Sequence, residues 1–144
     1  MTEIKFTVPG KPRAKARPRF RVVTPKGKKS FVHTYTPKET ETEEGVLRHI
    51  ASLAMAGRAP LTGPLVIQMA AYLPVPSSWT KKKREAALAG LIYPTSKPDW
   101  DNYAKIQDGL NLIVWGDDAQ IVDAHVYKRY SDTPRLVISV KDKE

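Results

Sequence analysis

The sequence predicts an α+β fold, a single domain over residues 1–144 in which a mainly antiparallel or mixed β-sheet packs with helices. Three observations predict it. Apolar runs of strand character stand near both ends and in the middle of the chain, and stretches of helical period separate them. A length of 144 residues suits one ordinary domain with a core of its own. No repeat, low-complexity segment or interdomain linker interrupts the chain.

Each element has its own signal. Ile4, Phe6 and Val8 alternate with Lys5 and Thr7, the period of a half-buried strand, and Pro9-Gly10 ends it. Arg21-Val22-Val23 and Ser30-Phe31-Val32-His33 flank Thr24-Pro25-Lys26-Gly27, which reads as a hairpin. Thr36, Pro37 and Glu39 suit the N-cap, N1 and N3 positions of a helix. Val46, Leu47, Ile50, Leu53 and Ala54 follow at helical spacing, and Gly57 and Pro60 close that helix. Glu39, Glu41, Glu43 and Glu44 crowd its start, where the helix dipole favours negative charge, and read as a solvated face. Residues 64–73 form a buried strand ended by Pro74 and Pro76. Ser78 is placed to cap a helix over 79–89, with Gly90 as its stop. After a loop over 93–98, Asp101 or Asn102 caps a further helix carrying Tyr103, Ile106, Leu110 and Ile113 on one face. Residues 121–130 and 136–140 read as two antiparallel strands around Ser131-Asp132-Thr133-Pro134.

Charge and composition narrow the function. The formal net charge is +9 and the sequence pI is about 9.8, a balance that favours a polyanionic partner, nucleic acid first. The chain has no cysteine, which excludes disulfides, thiolate metal sites and a cysteine nucleophile. The N-terminus lacks an apolar signal core, and the longest apolar-leaning stretch, residues 50–56, is too short to span a bilayer. The expectation is a cytoplasmic protein with no membrane partner. His33, His49 and His125 share no ligand spacing, and there is no HExxH, nucleophile elbow or glycine-rich phosphate loop.

Against this basic background stands an acidic cluster, Lys97-Pro98-Asp99-Trp100-Asp101-Asn102, answered by Gly116-Asp117-Asp118. Carboxylates held close repel one another unless a cation joins them. In an extended segment Asp99 and Asp101 point to one side and Trp100 to the other, into the core. Two such carboxylates can share a hard cation through oxygen. Lys105 lies one helical turn after Asp101, placed either to meet a phosphate oxygen or simply to pair with Asp101. A reversal at Gly116 brings Asp118 back towards Asp99, at the start of the following strand, while Asp117 reads as a surface turn residue or an additional ligand. Asp123 reads as a partner for a basic residue. Metal, a polyanion and clustered aspartates together suggest phosphodiester chemistry.

A second constellation is the basic arm. No acidic residue occurs over residues 9–38, and Lys11, Arg13, Lys15, Arg17, Arg19 and Arg21 alternate with small, apolar and proline residues. Guanidinium groups match phosphate oxygens bidentately, so these six are the candidate DNA-binding residues. The bland reading of the arm is a solubilising loop. Lys81-Lys82-Lys83-Arg84 forms another basic run, tied to DNA by charge alone. Trp79, Trp100 and Trp115 are all expected in the core.

Asp99-x-Asp101-Asn102, Lys105, then Asp117-Asp118-Ala119-Gln120-Ile121-Val122 resembles the RusA-type Holliday junction resolvases of bacteria and their prophages. Lys15-Ala16-Arg17-Pro18-Arg19 and Tyr35-Thr36-Pro37 strengthen the likeness, which runs over about residues 5–140. The resemblance implies a homodimeric, Mg²⁺-dependent endodeoxyribonuclease (Mn²⁺ able to substitute) with no organic cofactor. It implies binding to four-way junction DNA and symmetric paired cuts, in recombination and repair. Asp99, Asp101 and Asp118 match the family's catalytic, metal-binding aspartates, and Lys105 its essential lysine. Asp117 matches the acidic position before Asp118. Two other readings remain open: a non-catalytic junction- or DNA-binding protein, and a metal-dependent nuclease of another branched substrate or RNA.

Overall fold

The computed structural model describes residues 2–13, 19–35 and 38–144; for residues 19–21, 31, 33–35 and 38–41 it describes the backbone alone. The expected cap at Thr36-Pro37 and the arm residues Lys15 and Arg17 lie outside the described residues. The strands are β1 (Glu3–Pro9), β2 (Arg19–Val23), β3 (Phe31–Tyr35), β4 (Leu65–Leu73), β5 (Ile121–Tyr130) and β6 (Arg135–Asp142). The α-helices are α1 (Lys38–Met55), α2 (Lys81–Leu88) and α3 (Trp100–Ala104). Two 3₁₀ turns, Lys105–Leu110 and Asp118–Gln120, complete the element order.

A four-stranded mixed sheet, in the order β1-β6-β4-β5, forms the frame, and β2-β3 make a separate ribbon. Strand β6 runs antiparallel to β1 and β4, whereas β5 runs parallel to β4. The expected hairpin of the last two strands is therefore not a pair: β4 lies between them, and residues 131–134 cross its end. Strand β4 is buried along most of its length, as befits a central strand whose backbone is paired on both edges. The Ser131 N–H donates to the Leu73 carbonyl at 2.9 Å, tying the crossover to the end of β4.

Alternation decides which face is covered. Across β1, β6 and β4 the register aligns Ile4–Val140–Ile67, Phe6–Ile138–Met69 and Val8–Leu136–Ala71 in rows. These rows meet Leu47, Ala51 and Met55 of α1 together with Tyr103, Leu110, Val114 and Trp115. Each fully buried large side chain there contributes roughly 1.5–3 kcal/mol relative to exposure. Leu53 (67% exposed) and Val46 (45%) sit on the outer face of α1, so the apolar stripe is narrower than their spacing suggested. The opposite rows carry Gln68, Tyr72, His125, Tyr127, Ser139 and Lys141, and they line an open depression of about 450 Å³.

Two helices depart from expectation. Helix α2 starts at Lys81 rather than Trp79, because Thr80 is the N-cap and its Oγ1 accepts the Lys83 N–H at 3.3 Å. The helix expected from Asp101 or Asn102 through Ile113 starts earlier, at Trp100, and ends as α after five residues, tightening into a 3₁₀ turn over Lys105–Leu110. Gly109 favours that ending, since Gly lowers helix stability. It also lets α1 approach: a Cβ on Gly109 would stand 3.2 Å from Leu47 Cδ2. Arg48 Nη1 donates to the Gly109 carbonyl at 3.2 Å and ties α1 to this turn.

Candidate active site

Asp99 is the N-cap of α3, with an extended backbone (φ −70°, ψ 153°), but its side chain caps nothing. Its carboxylate is therefore not spent on the helix. Trp100 and Asp101 are already helical, so the expected extended Asp99-Trp100-Asp101 ribbon does not form, and residues two apart on a helix do not share a face. This also corrects Trp100, which is 60% exposed instead of buried. Trp115 is fully buried, its Nε1 donating to Asn111 Oδ1 at 2.6 Å, and Trp79 is half-buried.

The i,i+4 relation of Asp101 and Lys105 holds. Lys105 Nζ lies 4.0 Å from Asp101 Oδ2, with both side chains about half-exposed. At that distance and exposure the attraction is weak, a few tenths of a kcal/mol at most.

Asp118 opens a 3₁₀ turn just before β5 instead of beginning the strand. Its Oδ2 accepts Gln107 Nε2 at 3.0 Å, and the same nitrogen donates to Asp108 Oδ1 at 2.8 Å. One short segment thus carries the partner of Asp101, Lys105, and the partner of Asp118, Gln107. Asp117 serves the turn: its Oδ1 accepts the Ala119 N–H at 2.9 Å, in a capping box with Gln120. That N–H, and secondarily Asp118, holds the Asp117 carboxyl below the usual carboxylate range. Gln120 Nε2 anchors the turn to the Leu61 and Gly63 carbonyls at 3.0 and 3.1 Å. Asp123 meets Lys143 at 2.8 Å, the basic partner expected of it.

Two positioning residues were not visible in the sequence. Gln107 follows no recognisable spacing to Asp118, and only the fold brings them together. Lys128 of β5 donates to the Ser96 and Pro98 carbonyls at 2.9 and 3.0 Å, fastening the loop that delivers Asp99. The alternation of β5, which places Lys128 opposite Tyr127 and Arg129, was the available hint.

The carboxylate oxygens of Asp99, Asp101 and Asp118 are the donor chemistry of a hard divalent cation. Among the described residues, however, no three acidic or histidine side chains are gathered closely enough to hold a metal. Asp101 leans to Lys105 and Asp118 to Gln107. In the basic arm, Lys11 is exposed, Arg13 Nε lies 3.7 Å from Glu43 Oε1, and Arg19 and Arg21 fall on β2.

The comparison with known families covers nearly the whole fold. Residues 9–141, from the end of β1 into β6, match the family model described as "Endodeoxyribonuclease RusA". This chain belongs to the RusA endodeoxyribonuclease family. The match spans Asp99, Asp101, Lys105, Gln107 and Asp118 of the candidate site. A relative in Bacillus subtilis (strain 168), described as the uncharacterized protein YqaN, is 38% identical over 144 residues, 96% of each chain. No helix among the described residues is long and apolar enough to cross a membrane.

Proposed function

We propose that this RusA-family protein is an Mg²⁺-dependent endonuclease that resolves four-way DNA junctions by paired, symmetric cuts as a homodimer. The observation that supports the proposal is that Asp101 and Asp118 each contact one short segment, Asp101 at Lys105 and Asp118 at Gln107, which follows the Asp99 loop in the chain. It does so in a chain of net charge +9. Asp99, Asp101 and Asp118 are not gathered within ligand distance in this structure and would have to draw together to hold the cation, with Mn²⁺ able to take its place. A divalent cation held there would polarise a phosphate and lower the pKa of a bound water.

The chain's own side chains divide the remaining work. Lys105 carries a positive charge on the face of Asp101, where it can meet a phosphate oxygen and stabilise charge building on the phosphorus. Gln107 orients Asp118, and Lys128 orients the loop before Asp99. Arginine and lysine residues of the arm, Lys11 to Arg21, supply phosphate contacts that position DNA without reading its sequence. A two-fold dimer matches a two-fold junction and gives two cuts.

The test is incubation with Mg²⁺ and an end-labelled synthetic four-way junction, beside duplex, flap and RNA substrates at one salt concentration. Paired cuts confined to the junction are expected, and EDTA abolishes them. Binding without cutting would leave a DNA-binding protein, and preferential flap or RNA cleavage would replace the substrate.

A further inference from the structure

Away from the aspartates, the end of the sheet where β4 and β5 finish and β6 begins carries cations laid on aromatic rings. In the register, Arg135 of β6, Tyr72 of β4 and Arg129 of β5 form one cross-strand row. The Arg135 guanidinium lies 4.0 Å from the Tyr72 ring centroid. Arg129 lies 5.0 Å from the rings of both Tyr93 and Tyr127. Round the end of the sheet, Lys83 of α2 sits 3.9 Å over Trp79, which meets Tyr130 edge-on at 5.3 Å.

These contacts orient charge without cancelling it. A ring face attracts a cation but brings no counter-charge. Among the described residues, neither arginine nor Lys83 pairs with a carboxylate, unlike Lys105 with Asp101 or Lys143 with Asp123. Arg129 and Arg135 flank Tyr72 from the two neighbouring strands, held against rings and by hydrogen bonds that bring no counter-charge. Arg135 Nη1 spends hydrogen bonds on Ser131 Oγ and the Thr133 carbonyl, and Arg129 Nη1 on the Lys128 carbonyl. Each guanidinium has five N–H donors, so both keep donors to offer.

The surface shares β5 with the loop that leads to Asp99, which is fastened from the other face of that strand. Lys128, the neighbour of Arg129 on β5, binds the carbonyl of Pro98, the residue joined to Asp99. We propose that this end of the sheet is a phosphate-binding surface that takes the backbone of a DNA arm leading away from the cutting site. The inference rests on the reading of the protein as a DNA endonuclease. The planar, ring-backed guanidinium groups suit the oxygens of a phosphodiester, and a run of them suits a polymer better than a single small anion.

Binding of the full chain to a fluorescent four-way junction and to a plain duplex, measured in EDTA across a salt series, tests this apart from cleavage. Arg129→Gln should weaken both complexes alike, by about 8-fold at about 0.1 M salt, and lower the slope of log affinity against log salt by about 0.9. Lys83→Gln, on a separate element, should act in the same direction, and thermal melts confirm that each variant is folded. Folded variants with wild-type affinity and slope would overturn the surface. So would a shift from dimer to monomer in sedimentation, which would make it a protein interface. Binding of the wild type to phosphatidylserine vesicles, lost in Arg129→Gln while DNA binding stays, would make it a membrane contact. Wild-type protein that binds no DNA at all would instead overturn the endonuclease reading itself.

Discussion

At the residue scale the candidate site is a set of carboxylates with different duties. Asp99 spends no side-chain bond on its helix, Asp101 faces Lys105, Asp118 is held by Gln107, and Asp117 caps a turn. Changing Asp99, Asp101 or Asp118 to Asn should lower junction cleavage by at least about 100-fold, on the scale of lost electrostatic stabilisation, with junction binding intact or tighter. A gel assay that finds cleavage surviving all three changes removes the site. Lys105→Ala should reduce turnover with little loss of affinity; an equal fall in both makes it a binding residue. Gln107→Ala should weaken Mg²⁺ affinity, read by calorimetry, by roughly 10-fold, as loss of a ligand's supporting partner does. Asp117 gives a pH signature. Its folded pKa is depressed below the ordinary 3.8, so its contribution to stability is present above that value and lost as pH falls through the folded pKa. Asp117→Asn should therefore flatten the acid limb of urea-unfolding midpoints, and an unchanged limb would show that the cap carries no such linkage.

At the element scale, helix boundaries obey capping and close approach more than apolar period. Tyr103, Ile106 and Leu110 point inward from the α3 and 3₁₀ segment much as a longer helix would place them, which is why their spacing was misleading. Thr80 at the start of α2 illustrates the local term: Thr80→Ala should cost about 1 kcal/mol in chemical denaturation, whereas Ser78→Ala should be close to neutral. The same logic explains Trp100. Its neighbours suggested an extended strand with an inward indole, but Asp99 caps a helix there and the turn of that helix carries the ring outward.

At the scale of the whole molecule the sheet has one face sealed by α1 and the Trp115 segment and the other left open. Trp115 is the largest fully buried side chain, so Trp115→Ala should destabilise by about 3–5 kcal/mol through the cavity it leaves. A melt shifted by less would mean that the neighbours collapse into the space. The charge of +9 makes DNA affinity strongly salt-dependent, and a flat response in a binding titration would argue against phosphate contacts altogether.

The sequence by itself determined the α+β class, the strands at β1 and β4, the ribbon around Thr24-Pro25-Lys26-Gly27, and the pairing of Asp101 with Lys105. These depend on neighbours within a turn or on a two-residue alternation, and such information is local. It also carried the family likeness through the aspartates and their spacing. Tertiary structure alone decided that β4 separates β5 from β6, that Gln107 reaches Asp118, and that Lys128 fastens the Asp99 loop. It alone laid Arg129 and Arg135 on either side of Tyr72. The reason is that strand order and long-range hydrogen bonds follow from how apolar faces are shared among distant segments, and no spacing along the chain records that choice.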